Sequence, residues 1–206
     1  MRIISGQFKG KKLLEPNDKK TRPLKDLVKE SLFNIIEHSK KFNINLEKSN
    51  VLDLFAGVGS FGLEALSRGA KNVVFIENYY EVLNILKKNI ENLDLNKKCY
   101  VLEKDILNDL NFKELNKSFD IIYLDPPFKE TNINSLIMKI NKSNILRKNG
   151  IIILHRHKNE NDQFIKESNI VEEKQYGISK IIFLSLFWLI LLMVDHMDLL
   201  LNIFLK

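Results

Sequence analysis

The run from Val51 to Gly62 constrains the fold more than any other segment of the sequence. It reads Val-Leu-Asp-Leu-Phe-Ala-Gly-Val-Gly-Ser-Phe-Gly, an apolar strand followed by glycines spaced as G-x-G-x-x-G. This pattern is typical of the first strand, turn and helix of a doubly wound α/β sheet, in which ligands bind beyond the carboxyl ends of the strands. A second apolar run, from Ile121 to Phe128, ends in Asp-Pro-Pro-Phe. Two strands that end in this way place two sets of polar groups over one crevice.

The rest of the chain alternates between strand and helix. Two strand-like runs near the end, Ile170–Gln175 and Lys180–Leu184, are separated by a hairpin-length turn. The βαβα order predicts a mostly parallel sheet with right-handed crossovers, and the terminal hairpin adds an antiparallel strand. We therefore expect an α/β sheet of seven strands, six parallel and the last antiparallel. The other predicted strands are 51–55, 73–77, 99–102, 120–124 and 150–154, and the predicted helices lie near 60–68, 79–93 and 132–142.

Positive charge is concentrated at the start of the chain. Residues 1–30 hold nine Lys and Arg and four Asp and Glu, so nine minus four gives +5 of the net +6 charge. Arg2–Ile4 and Lys12–Leu14 predict a short hairpin, and the apolar residues Leu24, Leu27, Val28, Leu32, Ile35 and Ile36 predict one face of a helix. A localised basic segment favours a polyanionic partner such as nucleic acid. A solvated, lysine-rich surface is the alternative explanation.

The domain boundaries follow from these patterns. We predict a basic N-terminal extension at 1–48, a sheet domain at 49–185 and an apolar tail at 186–206. The uncharged run Ile181–Val194 has fourteen residues, fewer than the ~18–20 that a transmembrane helix needs, so no membrane span is expected. Three interpretations of the tail stay open: a packed helix, a dimer or membrane-surface contact, and an extension without an evolved role. We favour the packed helix and expect the tail to be dispensable for chemistry.

The composition indicates a reducing, cytoplasmic setting. The single cysteine, Cys99, cannot form an intramolecular disulfide, and no metal-ligand spacing surrounds it. The N-terminus has no apolar segment of the kind found in secretory signals. We therefore expect a cytoplasmic protein without a metal site.

Acidic residues near the ends of three strands indicate what the glycine turn holds. The glycine pattern alone would suit a nicotinamide enzyme equally well, and Glu77 stands where a ribose-binding acid is expected. Asp53, however, lies four residues before Gly57, where a carboxylate would repel a pyrophosphate and attract the ammonium group of an amino-acid-bearing cofactor. Asp105 follows the third strand and could accept a hydrogen bond from an adenine amine. Together these residues predict a pocket for S-adenosylmethionine.

The Asp125-Pro-Pro-Phe128 segment predicts a site for a flat amine. Its two prolines lack N–H groups, and the first also favours an extended backbone at Asp125. The loop therefore offers hydrogen-bond acceptors. The Asp125 carboxylate and the Pro126 carbonyl could accept the two N–H bonds of an amine such as guanine N2 and free its lone pair. Phe128 could stack on the base, a contact of about 1–3 kcal/mol.

These residues resemble a known group of enzymes. Asp53–Ala65, Glu77, Asp105 and Asp125–Phe128 resemble the amino-methyltransferase branch of the class I S-adenosylmethionine-dependent methyltransferases. The flanks are similar to the bacterial small-subunit ribosomal RNA guanine-N2 methyltransferases of the RsmD type. Those begin with Arg-Ile-Ile-x-Gly-x-x-Lys/Arg-Gly, then have Arg-Pro and Glu-x-Leu-Phe-Asn, matched at residues 2–10, 22–23 and 30–34. Leu24-Lys25 and the tail depart from the family pattern.

The resemblance implies a Rossmann-like sheet and methyl transfer from S-adenosylmethionine to the exocyclic N2 amine of a guanine in 16S ribosomal RNA. The substrate would be ribosomal RNA or the assembling small subunit, without an obligatory protein partner. The candidate catalytic residues are Asp125, Pro126, Pro127 and Phe128; the candidate cofactor-binding residues are Asp53, Phe55, Ala56, Gly57, Gly59, Glu77, Asn78, Asp105 and Ile106; the candidate RNA contacts are Arg2, Lys9, Lys11, Lys12, Arg22 and His155.

Three alternatives differ in chemistry. An adenine-N6 DNA methyltransferase uses the same kind of Asp-Pro-Pro-Phe loop, but this chain has no separate base-reading domain. A nicotinamide-dependent oxidoreductase shares the glycine pattern and leaves that loop unexplained. A nucleic-acid-binding module with an inactive pocket would not need every cofactor position to be filled.

Overall fold

The computed structural model describes residues 1–16 and 24–186. Within these residues, the helices and strands of the sheet domain lie where the sequence predicted them, although several bounds differ. In chain order the elements are α1 (Asp26–His38), β1 (Asn50–Leu54), α2 (Ser60–Ser67), β2 (Asn72–Glu77), α3 (Tyr80–Asn92), β3 (Cys99–Glu103), β4 (Phe119–Leu124), α4 (Ile133–Lys142), β5 (Leu146–His157), β6 (Ser168–Tyr176) and β7 (Ser179–Leu186).

The seven strands form one mixed sheet in the order β3-β2-β1-β4-β5-β7-β6. Strands β1 to β5 pair in parallel, and β7 is antiparallel to both of its neighbours, β5 and β6. Six strands therefore point one way and the last strand points the other, which confirms the predicted fold class. The strand order reverses between β1 and β4, and in sheets of this class the ligand crevice opens beyond the strand ends at that position.

Apolar side chains alternate between the two faces of the sheet. Val51 and Ile121 are paired in register and pack in the cluster that also includes residues of α1, α2 and α3. Their neighbours Leu52 and Ile122 point to the other face and pack with residues of α4. Because both faces are covered, the central strands are almost continuously apolar, as expected of buried parallel strands.

Strand β5 is longer than predicted. It begins at Leu146 rather than at residue 150 and continues to His157, because Arg156 and His157 pair with Lys180 and Ser179 of β7. The predicted end of this strand at residue 154 is therefore wrong. His155, Arg156 and His157 are its last three residues, and their side chains alternate between the two faces of the sheet.

Two details of the N-terminal region also differ from the sequence analysis. The predicted hairpin forms as a single antiparallel bridge between Arg2 and Lys12. Leu27, predicted on the apolar face of α1, is 68% exposed, whereas Phe33 is fully buried. The face of α1 that packs inward is thus centred between Val28 and Phe33, where it meets α2.

A buried polar cluster attaches the N-terminal segment to the sheet domain. The Glu64 carboxylate, in α2, accepts hydrogen bonds from the backbone N–H groups of Ile4 and Ser5 at 2.7 and 3.0 Å. It also pairs with Arg68 at 2.8 Å and with Lys29 of α1 at 3.7 Å. Burial lowers the pKa of Lys29, and the Glu64 charge opposes that shift. One carboxylate therefore joins three segments that are distant in sequence.

Two predictions concern residues outside the described part of the chain. Arg22 lies there, as do residues 187–206 of the predicted tail, so both assignments stay predictions. Within residues 1–16 and 24–186, no helix has the length and apolar character required to cross a bilayer.

We predict that Glu64→Gln destabilises the fold by about 3–5 kcal/mol, because it leaves the buried Lys29 cation without its carboxylate and removes the more buried of the two carboxylates that pair with Arg68. The free energy of unfolding in urea measures the effect. Glu37→Gln is the matched control: Glu37 also pairs with Arg68 but at the surface, and should cost less than about 1 kcal/mol. Equal losses in the two variants would contradict the account.

Candidate active site

The glycine turn connects β1 to α2 through left-handed backbone conformations. Phe55, Gly57 and Gly59 have φ angles of +61°, +55° and +86°. A Cβ atom at Gly59 would lie 2.5 Å from a methyl carbon of Leu86, so this position also requires the small residue for packing. Phe55 adopts its positive φ without being glycine, a conformation that concentrates at functional sites.

Asp53 lies beneath this turn and is almost completely buried. One carboxylate oxygen accepts the backbone N–H of Gly62 at 2.9 Å, which fixes the first turn of α2. Burial raises the pKa of Asp53 well above its usual range, the hydrogen bond from Gly62 opposes this, and the charges of Asp125 and Glu77 raise it further. Asp53 is therefore close enough to both Glu77 and Asp125 for their charges to act on it.

Glu77 ends β2 and bonds to the backbone with both oxygens. One accepts the N–H of Gly57 at 2.7 Å, and the other accepts the N–H groups of Asn78 and Tyr79, both at 2.9 Å. Glu77 thus holds the glycine turn against the neighbouring strand. Ala56, which directly precedes Gly57, donates its N–H to the carbonyl of Ile76 in β2 at 3.1 Å.

Asp105 and Ile106 follow β3. The Asp105 carboxylate accepts the backbone N–H groups of Asn108 and Leu107 at 3.1 and 2.8 Å, and these bonds lower its pKa. Ile106 is buried in the apolar cluster on the α4 face. Asp105 therefore caps the following turn, and its hydrogen bond to an adenine amine stays a prediction.

Asp125 extends beyond the end of β4, next to the end of β1. Its N–H donates to the Leu54 carbonyl at 3.3 Å, so the main parallel pairing sets its position. One carboxylate oxygen lies 2.8 Å from His155 Nδ1, and the other accepts the Tyr123 hydroxyl at 3.2 Å. Burial raises the pKa of Tyr123 well above its usual range, and the Asp125 charge adds to the shift. Tyr123 therefore stays a hydrogen-bond donor.

The remainder of the loop is fixed by its prolines and by aromatic contacts. Pro126 is buried and Pro127 is exposed, and the Pro127 carbonyl accepts the N–H of Glu130 at 2.8 Å. The Phe128 ring meets the rings of His155 and His157 edge-on, with centroids 5.8 and 5.3 Å away. Phe128 is thus held at the same crevice as Asp125.

His155 lies in a different environment from the one predicted. It is 5% exposed and its Nδ1 faces Asp125, so the structure gives no support to a direct contact with RNA phosphates. Tyr123 was missed altogether. Its position two residues before Asp125 places both on one side of the strand, and this alternation was the available signal.

The basic residues of the N-terminal segment lie at the surface. Lys9, Lys11 and Lys12 are exposed, and none of them takes part in an ion pair among the described residues. Arg2 pairs with Asp26 at 2.9 Å. No cluster of three or more His, Cys, Asp or Glu side chains in the described ranges could hold a metal ion.

Comparison with known proteins places this geometry in a family. A family model described as Conserved hypothetical protein 95 matches residues 1–185, which covers the N-terminal segment, the glycine turn and the Asp-Pro-Pro-Phe loop. The chain belongs to this family. The match confirms the family resemblance inferred from the sequence.

Curated relatives of this chain are named as methyltransferases. Ribosomal RNA small subunit methyltransferase D of Haemophilus influenzae is 35% identical over 183 residues, 86% of this chain and 90% of the relative. The protein of the same name from Buchnera aphidicola subsp. Baizongia pistaciae is 34% identical over 181 residues, 88% of each chain. These relatives share almost the whole length described above.

Solved structures share the fold. The crystal structure of HI0767 from Haemophilus influenzae has a TM-score of 0.70 at 33% identity and covers 91% of this chain and 98% of its own. An RNA methyltransferase from Salinibacter ruber in complex with S-adenosyl-L-homocysteine has a TM-score of 0.57 at 14% identity and covers 79% and 92%. The second likeness concerns the fold alone.

We predict that Asp53→Asn stabilises the protein at neutral pH. The folded chain holds the Asp53 proton to higher pH than the unfolded chain, so the wild type loses stability as pH rises above the usual Asp value, and asparagine does not titrate. Asp105→Asn should have the opposite effect, because the lowered pKa of Asp105 stabilises the fold above that value and the benefit disappears as pH falls. Urea unfolding from about pH 3 to about pH 8, a range that includes the usual Asp pKa of about 3.9, measures both. Variants that shift in the same direction would contradict these assignments.

Proposed function

We propose that this protein transfers a methyl group from S-adenosylmethionine to the exocyclic N2 amine of a guanine in small-subunit ribosomal RNA. The observation that carries the proposal is the convergence of Asp53, Glu77 and Asp125 at the switch point of the sheet. The first two acids stand beside the glycine turn, and the third stands on the neighbouring strand.

The charge of this crevice favours a cationic cofactor. Three carboxylates near one another repel a pyrophosphate, and they attract the sulfonium and ammonium groups of S-adenosylmethionine. Cofactor binding should therefore favour the ionised form of Asp53 and oppose the rise in its pKa that burial causes. These three acidic residues therefore suit S-adenosylmethionine better than a dinucleotide.

The Asp125 loop supplies the second half of the chemistry. When bound, S-adenosylmethionine supplies a methyl group on a sulfonium, an excellent leaving group that needs no general acid. Asp125 accepts a hydrogen bond from the amine and, with the Pro126 carbonyl, orients the nitrogen lone pair. Phe128 holds the base by stacking. Most of the rate acceleration then comes from the proximity and alignment of amine and methyl group.

The names of the relatives and the exposed lysines of the N-terminal segment both favour RNA as the substrate. Two relatives similar over most of their length are named as methyltransferases of the small-subunit ribosomal RNA. The exposed lysines Lys9, Lys11 and Lys12 provide cations for phosphates, on a segment that Glu64 fixes to α2. The target base must leave its stack to reach Asp125, so an RNA loop or an exposed helix end suits this site.

We predict that Asp125→Ala lowers the single-turnover rate of methyl transfer by about 100-fold or more, because the amine loses its orienting acceptor. Cofactor affinity should stay within a few-fold of the wild type, since Asp53 and Glu77 remain. Radiolabelled methyl donor gives the rate, and calorimetry gives the affinity.

A control variant and a comparison of ligands complete this experiment. Asp120→Asn is the control for the rate. This residue lies near the start of β4, at the other end of the strand from Asp125, where it pairs with Arg147 and accepts the Asn50 N–H at 2.8 Å, and the substitution should leave the rate unchanged. An Asp125→Ala protein with most of the wild-type rate would make the loop structural. Binding of NAD as tightly as S-adenosylmethionine would contradict the proposed cofactor.

We also predict that neutralising Lys9, Lys11 and Lys12 together weakens RNA binding and flattens its salt dependence. Each lost phosphate contact removes about 0.7–0.9 from the slope of log affinity against log salt, so the triple variant should lose about 2–3 in all. Lys71, Lys97 and Lys98, which are exposed and precede β2 and β3 at the amino ends of these strands, provide the matched control triple. An unchanged slope in the first triple would assign those lysines to solvated surface.

A further inference from the structure

The last residues of β5 hold the Asp-Pro-Pro-Phe loop at both ends. His155 Nδ1 lies 2.8 Å from one oxygen of Asp125, where the loop begins. The next residue, Arg156, points to the other side of the strand, and its Nη2 donates to the Glu130 carbonyl at 2.9 Å, where the loop ends. Arg156 is itself fixed by Asp162, whose carboxylate accepts from Nε at 2.9 Å. A rigid strand end thus controls the position of a catalytic loop.

The direction of the hydrogen bond between His155 and Asp125 follows from chemistry. An ionised carboxylate can only accept, so the proton lies on His155 Nδ1. The other ring nitrogen, Nε2, is buried and has no hydrogen-bond partner among the described residues. A neutral ring with its proton on Nδ1 leaves only an acceptor unsatisfied there, which costs less than burying an unsatisfied N–H. The geometry therefore favours one tautomer.

With this bond in place, both oxygens of Asp125 are oriented. His155 occupies one direction on the first oxygen, and Tyr123 occupies one on the second. A carboxylate has about four acceptor directions, so two remain for a ligand. The Asp125 side chain is 24% exposed, whereas that of His155 is 6% exposed, so the free directions open toward the crevice from the Asp125 side.

We infer that His155 is a positioning residue for methyl transfer: its Nδ1–H fixes the Asp125 carboxylate in the orientation that receives the target amine. His155 touches neither cofactor nor base in this arrangement and acts through Asp125. The edge-on contact with Phe128 lets the same ring support the stacking residue. This inference rests on the proposed function, and it explains why a buried histidine directly follows the apolar segment Ile151–Leu154 of β5.

Two substitutions of similar chemistry test the inference. The amide nitrogen of asparagine can take the place of histidine Nδ1, whereas that of glutamine reaches toward the place of Nε2. His155→Asn should therefore keep most of the wild-type kcat. His155→Gln and His155→Leu should lower kcat by about 10- to 100-fold, as expected when a catalytic group is displaced by about 1 Å. KM for RNA and Kd for S-adenosylmethionine should change by less than about twofold in all three variants.

A purely space-filling role predicts a different order, because glutamine is closer to histidine in volume than asparagine is. Equal kcat values for the Asn and Gln variants, or a wild-type kcat for the Leu variant, would overturn the inference. His38→Asn, at the exposed end of α1, is the control and should leave kcat unchanged. Thermal unfolding verifies that each variant is folded, and the Asn–Gln comparison decides the matter if the Leu variant is not.

A spectroscopic readout separates this inference from the proposed function. In ¹⁵N NMR spectra of the wild-type protein, we expect His155 to show a protonated Nδ1, and we expect that signal to shift in Asp125→Ala. A protein that shows these signals but transfers no methyl group would contradict the proposed function while the hydrogen bond stands. A protonated Nε2 with a bare Nδ1 would overturn the inference whatever the activity.

Discussion

The parallel pairing of β1 with β4 is the constraint on which the rest of the site depends. Leu54 and Leu124 are the last paired residues, so the chain on both strands leaves the sheet at the same edge and at the same level. Phe55 turns into the glycine loop, and Asp125 bonds to the Leu54 carbonyl as it begins the proline loop. One backbone ladder therefore brings the glycine turn and the Asp-Pro-Pro-Phe loop together at one edge of the sheet.

The two acidic residues beside the glycine turn, Asp53 and Glu77, differ in how well hydrogen bonds offset the cost of their burial. Burial disfavours the ionised form of Asp53 and raises its pKa, and the hydrogen bond from the Gly62 N–H offsets this effect only in part. Glu77, by contrast, is satisfied by three backbone N–H groups and stabilises the turn itself. Under the proposed function, a cationic cofactor would favour the ionised form of Asp53, so its binding should be coupled to the protonation equilibrium of Asp53.

The sequence predicted the central sheet well because its signals are local. The glycine turn, the Asp-Pro-Pro-Phe loop and the apolar strands each depend on a few adjacent residues. The interactions that it did not predict connect distant segments. Nothing near His155 in the sequence indicates a bond to Asp125, and the length of β5 depends on pairing with Lys180 of β7. The bonds from Leu107 and Asn108 to Asp105 are local instead, and they depend on the backbone conformation of the turn, which the sequence pattern alone does not give.

The central claim is that one crevice methylates an exocyclic amine of a ribosomal RNA base, and a single measurement tests it directly. Small-subunit ribosomal RNA is isolated from cells that lack this gene and from the same cells complemented with the wild-type chain or with Asp125→Ala. Nucleoside mass spectrometry with position mapping then compares the three samples. The account predicts an N2-methylguanosine that is present only with the wild-type chain. No difference among the samples, or a gain of N6-methyladenosine instead, would contradict it.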